Sequence, residues 1–498
     1  MIDDGLAALW PPEAIEAIHI TSLALLERAG VRVESGDART ILEDAGCQPG
    51  PQDRLLVPRQ VVEEAIAAGP RRYSLAARGD GLSLDVDPDP GPTYVHNMGG
   101  ARAVSDPQTG EARRATIADQ GDLARVMHHL VNQHTLCALV QPHDVPDPLE
   151  PLYSYLVQAF ETDKYVGGPG ISFGYQAKYL YEMATALTGA TGDGGRYPLD
   201  LAFSPVSPLL LGAEVTAALL DTVRRGHVVC EILPCPSAGT TAPAAIAAAV
   251  AQQNAEVLAG LVLVQVVAPG TPCYSGPRLS AVDPRTGLVT SGPPETGGSA
   301  IPAVLLARRY GMACDCYGPS TDSRVADAQF GIEHAQNALL GLVARPRFLS
   351  GVGDMQAGVA CSLEALVIDD EILNYAFHAL RPHPADRDAL DVEAMVEGVL
   401  SPTGFLATKH TRAYLRSEFV PPLLSFRGGD EEWAQSGYRG LADIAAERVR
   451  ELLAREPVGL PDDVAETMCG LIDTAARKVG VGEWPDPRRV LAARRARG

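Results

Sequence analysis

The chain has 498 residues, too many for one ordinary core and enough for an α/β barrel of about 250 residues with large additions. Its 41 Lys and Arg against 62 Asp and Glu give a formal net charge of −21, which argues against nucleic acid or an anionic membrane as a partner, because both demand a basic face. Nine cysteines lack paired spacing; Cys314 and Cys316 are too close for a CxxC motif and Cys230 with Cys235 is a poor metal clip, so reduced thiols and a cytoplasmic location are expected.

The opening MIDDGLAALWPP is acidic, without the basic region and apolar core of a signal peptide. From Pro12 to Ala29, apolar residues at Ile15, Ile18, Leu23 and Leu26 predict a helix closing at Gly30, with shorter helices over 38–45 and 58–68. Residues 73–104 change to short alternating runs broken by DPDPGP, a small β section. Candidate strands then recur between long Ala/Leu-rich helical patterns: TYVHN (93–97), LCALVQ (136–141), KYVGG (164–168), LDLAF (199–203), HVVCEI (227–232), PCYSG (272–276), ACDCY (313–317) and RFLSG (347–351). Eight strands separated by helices predict an α/β fold, a (β/α)8 TIM barrel, although a doubly wound sheet shares the local pattern. The expected organisation is an extension over 1–92, a barrel over 93–381 and a helical region over 382–498 that wraps it. The apolar stretch 245–264 is about long enough to span a bilayer, but Gln252, Gln253, Asn254 and Glu256 at its middle predict a buried helix instead.

Barrel chemistry sits on the loops that follow the strands. Those loops carry His96 and Asn97; His143 and Asp144; Gly168 through Phe173; Ser204; Glu231 and a Gly239–Thr241 turn; Tyr274; Tyr317 through Asp322; and Asp354 with Gln356. Lys and Arg are scarce there until Arg278 and Arg324, and neither GxGxxG nor GxxxxGK[ST] occurs where strand meets helix, so a phosphate pocket is not expected. Tyr, Phe and carboxylates at a pocket mouth suit a cation, above all a quaternary ammonium held by π faces; packing of the barrel top is the competing reading for each ring taken singly. Gly-x-Ser-x-Gly is absent, His128, His129 and His134 are not spaced as a tetrahedral set, and Glu333-His334 has no second His at metalloprotease spacing. No metal is expected in this chain, and the hard step is expected to belong to a cofactor or partner.

Several stretches are similar to one family, the trimethylamine methyltransferases. SAGTTAPAAIAAAVAQQNAEVLAG (237–260) resembles its Gly-Ala-Thr-x-Pro loop and Ala-rich helix. STDSRVADAQFGIE (320–333) resembles its Asp-Ser-Lys segment, with Arg324 in place of Lys. GFLATKHTRAYLRSEFVPPLL (404–424) resembles its C-terminal signature, and LLERAGVRV (25–33) fits its N-terminal pattern. The resemblance implies a TIM barrel that moves a methyl group from an amine to cob(I)alamin on a separate corrinoid protein. Family members that act on trimethylamine carry pyrrolysine in a loop that aligns here at or near Ala357, beside Gly358. An ordinary residue there implies a non-pyrrolysine relative acting on a quaternary amine such as glycine betaine, proline betaine or carnitine. Tetrahydrofolate as direct acceptor, or a non-catalytic quaternary-amine binding protein, are the alternatives.

On this reading Glu231, Tyr94, Phe173, Tyr274 and Tyr317 contact the cation, with Glu231 equally able to be a buried structural carboxylate. Asp354 and Gln356 line the pocket beside Ala357, while His96, Asn97, His143 and the Gly239–Thr241 amides receive a substrate carboxylate. Asp322 and Gln329 hold the loop rather than the substrate. His410 and Arg412 cap the barrel mouth, meet the corrinoid partner, or pair with acidic neighbours. The partners expected are the amine, the corrinoid protein and further copies of the chain in a homo-oligomer.

Overall fold

The computed structural model describes residues 8–168 and 170–497; most of the acidic N-terminal stretch, residues 1–7, and Pro169 of the third loop lie outside the described residues. Eight short strands carry the architecture: β1 Tyr94–Asn97, β2 Thr135–Leu136, β3 Tyr165–Val166, β4 Asp200–Phe203, β5 Val229–Ile232, β6 Cys273–Ser275, β7 Ala313–Tyr317 and β8 Phe348–Val352. Six form one curled parallel sheet in the order β4-β5-β6-β7-β8-β1, and β2 pairs with β3 in parallel. Backbone bonds connect the two groups at both ends. The His134 N–H donates to the Val95 carbonyl (2.9 Å), and a parallel bridge joins Gly170 to Ala202. The result is a mixed α/β architecture of TIM-like type.

Each core strand is followed by a helix: α1 Ile117–His129, α2 Glu150–Glu161, α3 Gly174–Thr188, α4 Ala213–Arg225, α5 Ile246–Val267, α6 Pro294–Arg309, α7 Ala328–Val343 and α8 Leu363–Leu380. Strands such as β5 and β8 are buried along their whole length, as strands covered on both faces must be, which is why they read as apolar runs rather than alternating ones. The second strand is shorter than its sequence suggests. Asn97 takes the place of a neighbouring strand there: its Oδ1 accepts from the Cys137 N–H and its Nδ2 donates to the Cys137 carbonyl (both 3.1 Å), so regular pairing stops after Leu136. Between β3 and β4 the backbones approach closely. A Cβ at Gly168 would fall 1.5 Å from the Asp200 carbonyl oxygen, so glycine is required.

Helix α5 is long and apolar enough to cross a membrane, yet it is mostly buried inside the protein. Its polar residues bolt it in place. Asn254 Nδ2 donates to Ser22 Oγ and Tyr310 Oη (2.9 Å each), and Glu256 accepts from the Leu209 N–H (2.9 Å) and Ser207 Oγ (2.8 Å). Ser22 belongs to the N-terminal helix Pro12–Arg28, which buries the predicted Ile15, Ile18, Leu23 and Leu26. The small β section is the antiparallel pair Tyr73–Leu75 and Leu84–Val86, which packs beneath the N-terminal half of the sheet in a second apolar cluster with Tyr94, Tyr165, Tyr274 and Phe348. It plugs that end and makes a floor for whatever lies above.

At the C-terminus, Leu441–Leu453, Asp462–Val479 and Pro487–Arg495 return along α1 to α3, held by a buried ionic cluster. Glu161 of α2 binds Arg125 (2.7 Å) and Arg494 (2.7 Å), and Arg494 reaches on to Asp122 (2.5 Å). Helix α8 opens on Ser362, whose buried Oγ accepts the Ala365 N–H (3.3 Å) and satisfies a first-turn donor. Ser362→Ala should lower stability by about 1 kcal/mol, read as a shifted urea midpoint with unchanged slope.

Candidate active site

A cavity of about 410 Å³ opens among the carboxyl ends of the strands. Its floor is Leu75 of the plugging pair, Phe348 and the ring of Tyr274; its walls include Tyr165, Tyr317, His96, Glu231, Arg278 and Asp200. Alternation along each strand aims these side chains inward, residue 94 with 96, 200 with 202, and 315 with 317.

Two groups of polar side chains face each other. On one side, Asp200 accepts hydrogen bonds from the hydroxyls of both Tyr165 and Tyr274, and from the Gly168 N–H (3.0 Å). Tyr274 Oη also lies 3.3 Å from Glu231 Oε2. Phenols used this way turn their polar ends to the carboxyl group while their rings line the cavity, that of Tyr274 against Phe348 (centroids 5.4 Å). Burial, and then the charge of Asp200, push the Tyr274 hydroxyl well above its ordinary range, so it stays a donor. On the other side, Asp315 Oδ2 is shared by Arg278 Nη2 (2.5 Å) and His96 Nε2 (3.0 Å), while Arg278 Nη1 donates to the Asp315 carbonyl (2.7 Å). Burial alone would raise the Asp315 carboxyl, but Arg278 and His96 hold it far below the carboxylate range. Burial likewise opposes charge on His96, and Asp315 overrides it, keeping the imidazole protonated well above its usual range.

Glu231 stands between the two groups. Its Oε1 is 3.4 Å from Arg278 Nη2, yet burial and the neighbouring Asp315 push its carboxyl well above the usual range. Glu231 is therefore harder to ionise here than a carboxyl in water, despite the nearby Arg278. Gly276 makes room for it, since a Cβ there would fall 2.0 Å from Glu231 Oε1.

Of the residues singled out from sequence, Glu231, His96, Asn97, Tyr274, Tyr317 and Gly358 come together around the cavity. The others lie elsewhere. Tyr94 points inward but lies in the lower apolar cluster, its ring against Phe348 (centroids 5.9 Å) and its hydroxyl accepting from the Asp85 N–H (3.2 Å). His143 is tied to the Ala115 carbonyl (2.6 Å), and Phe173 is 42% exposed, stacked on Tyr175. The Gly239 and Thr240 amides are consumed by their own turn, donating to Ala242 and Ser237 carbonyls. Asp354 is buried just behind the wall, where it accepts from Tyr317 Oη (3.2 Å) and the Gly358 N–H (2.7 Å); burial pushes its carboxyl up to about 7. Gln356 and Ala357 form a left-handed turn (φ 56° each) whose N–H groups donate to the Ser323 and Thr321 carbonyls, so the loop is bolted down. Asp322 accepts the Ser291 N–H (2.9 Å) from the neighbouring loop, whereas Gln329 only donates to Glu333 (2.9 Å) within its own helix, and it is Glu333 that accepts from Thr321 and the Asp322 N–H. His410 contacts the Ala389 carbonyl (3.1 Å).

Sequence reasoning missed Asp200, Asp315, Tyr165, Arg278 as a wall residue, and the half-buried Glu150, whose carboxyl desolvation pushes up to about 7. A signal was present for two of them. Asp200 and Asp315 are acids inside apolar β runs, LDLAF and ACDCY, and a buried acid must find partners.

A methyltransferase scaffold accounts for this combination of fold and site, and comparison with known proteins agrees. Residues 4–480 match the family model for trimethylamine methyltransferase (MTTB), and the chain belongs to that family. It is similar to trimethylamine methyltransferase MttB of Methanosarcina thermophila, 27% identical over 457 residues that cover 90% of this chain and 93% of the relative. It is equally similar to the glycine betaine methyltransferase of Desulfitobacterium hafniense strain Y51, 27% identical over 479 residues covering 94% and 97%. A further relative, MttB of D. hafniense strain DCB-2, is 25% identical over 480 residues, covering 96% and 95%.

Proposed function

We propose that this chain demethylates a small quaternary ammonium carrying a carboxylate, a betaine-type zwitterion, and passes the methyl group to cob(I)alamin on a separate corrinoid protein. The observation that carries the reading is the divided cavity. Tyr165, Tyr274, Tyr317 and Phe348 surround a space backed by Asp200 and Glu231, and Arg278 with His96 stands opposite. Aromatic rings with carboxyl groups behind them attract a cation that cannot donate a hydrogen bond, and the Arg278 guanidinium over the Tyr317 ring, 5.7 Å from its centroid, already uses one of these rings in that way. Two cationic side chains sharing the single carboxylate of Asp315 leave a positive excess for the substrate's carboxylate. Similarity to the glycine betaine methyltransferase of D. hafniense supports the same class.

A quaternary ammonium leaves as a neutral amine, so the chain need supply no acid. Its residues desolvate the cation, fix the N–CH₃ direction and exclude water. A Co(I) corrinoid, when docked, supplies the nucleophile. Fit to such a partner rests on a rim of backbone: Gly99, Gly100, Gly168, Gly170 and Gly358 line the cavity, and a Cβ at Gly99 would fall 3.3 Å from Cys137 Sγ. Ala357, ordinary and turned into a bolted loop, supports a reaction without pyrrolysine. We place the eight strands in a closed barrel on the bonds that join β1 to β2 and β3 to β4.

The test offers glycine betaine, proline betaine, carnitine, γ-butyrobetaine and trimethylamine with free cob(I)alamin and follows methylcobalamin by absorbance. Methylation with a betaine and none with trimethylamine is the expected result. Turnover of trimethylamine alone would overturn the reading.

A further inference from the structure

The cavity contains a cysteine that the methyl-transfer reading leaves without a role. Cys137 follows β2, is half-buried, and lines the wall. Its Sγ lies 3.8 Å from His96 Nδ1, and the other ring nitrogen, Nε2, lies 3.0 Å from Asp315 Oδ2. Asn97 Nδ2 lies 3.2 Å from the sulfur and shares its two hydrogens among the sulfur and the Met98 and Cys137 carbonyls, while the carbonyls that the S–H could reach are farther, 3.7 Å at Asn97 and 3.9 Å at Met98. A thiol, an imidazole and a buried carboxylate in line, with an amide donor on the sulfur, form the arrangement that activates a nucleophile: the carboxylate fixes the imidazolium and the imidazolium stabilises the thiolate. Arg278 completes the surroundings by donating to the same Asp315 oxygen that His96 contacts.

We propose that Cys137 is an activated nucleophilic thiol of this pocket, paired with His96 and positioned by Asp315, and that it is covalently alkylated by small electrophiles that enter the cavity. In the step, Sγ forms a bond to the electrophilic carbon, the carbon–halide bond breaks, and the halide leaves with its electron pair. The thiol proton is released to solvent, and the His96 imidazolium pairs with the sulfur as it becomes anionic. The thiol itself does not depend on the substrate reading, but a preference for cationic electrophiles rests on it.

A second cysteine provides an internal control. Cys235 also lines the cavity and is more exposed, but its sulfur points at the Leu233 carbonyl (3.8 Å). The full chain is treated at neutral pH with limiting iodoacetamide or (2-bromoethyl)trimethylammonium, and each cysteine's modification rate is read by peptide mass spectrometry. Cys137 should react faster than Cys235 with both reagents, and His96→Gln should slow Cys137 by about tenfold or more, the scale of losing an adjacent cation that favours the thiolate. Saturating glycine betaine should protect Cys137 in the wild-type protein, a readout that needs no variant to fold. Equal or faster labelling of Cys235 by iodoacetamide, or an unchanged Cys137 rate in a folded His96→Gln protein, would overturn the proposal. Selective labelling by iodoacetamide without preference for the cationic reagent or protection by betaine would uphold the thiol and count against the cation pocket.

Discussion

Asp200→Asn should lower kcat/KM for the quaternary amine by about a hundredfold, with most of the loss in KM. Asp200 is the carboxyl group that both floor and wall phenols serve, and the Asn oxygen can still accept the Gly168 N–H that now reaches Oδ1 at 3.0 Å. What the substitution removes is the negative charge behind the rings. A unit charge about 5 Å from the ammonium, at an effective dielectric constant of about 20, contributes roughly 3 kcal/mol, which is about two orders of magnitude in binding. The attraction exists before the methyl group moves, so it belongs to ground-state binding and surfaces in KM. Unchanged kcat/KM in a folded variant would mean that the ammonium sits elsewhere in the cavity. Tyr165→Phe separates charge from wiring. It removes a donor from Asp200 but keeps its charge, and should cost far less.

The architecture was legible because its signals are local. β-branched and aromatic runs between long apolar helices give the alternation, and each of the eight runs named from sequence overlaps a core strand, the second by Leu136 alone. Their lengths were not legible where a side chain replaces a strand, as Asn97 does beside Cys137. The site was half legible. Residues that follow a strand, such as Glu231 and Tyr317, are visible to a search of strand ends. Asp200 opens its strand and acts from below through two tyrosines distant in sequence, so its place in an apolar run marks it as a buried acid but no spacing identifies its partners. The converse error has the same root. Tyr94 and His96 share an inward face two residues apart, yet one packs in the apolar floor and the other binds Asp315, because depth along the sheet axis is a tertiary quantity.

Depth also governs Glu231, and Glu231→Gln should raise the stability of the empty protein above pH 5 while weakening quaternary amine binding by about tenfold or more, the scale of losing one buried charge near the cation. Burial and Asp315 raise the carboxyl in the folded state, so the native protein keeps a proton that the unfolded chain releases above its ordinary value near 4.5. The native state then binds more protons than the unfolded one, and stability falls as pH rises from that value toward the raised one. Glutamine cannot titrate, so the variant loses this slope and gains over wild type progressively with pH. A bound cation reverses the preference, since its charge favours the carboxylate that Asp315 disfavours. Binding to the wild type should release a proton, and affinity should rise with pH across the same window. Calorimetry of the turned-over amine in two buffers of different ionisation heat measures the release directly: a buffer-dependent heat for wild type and none for Glu231→Gln. Buffer-independent heats for both proteins would mean that Glu231 keeps its proton beside the cation and serves as a hydrogen-bond donor, leaving Asp200 to carry the electrostatic attraction.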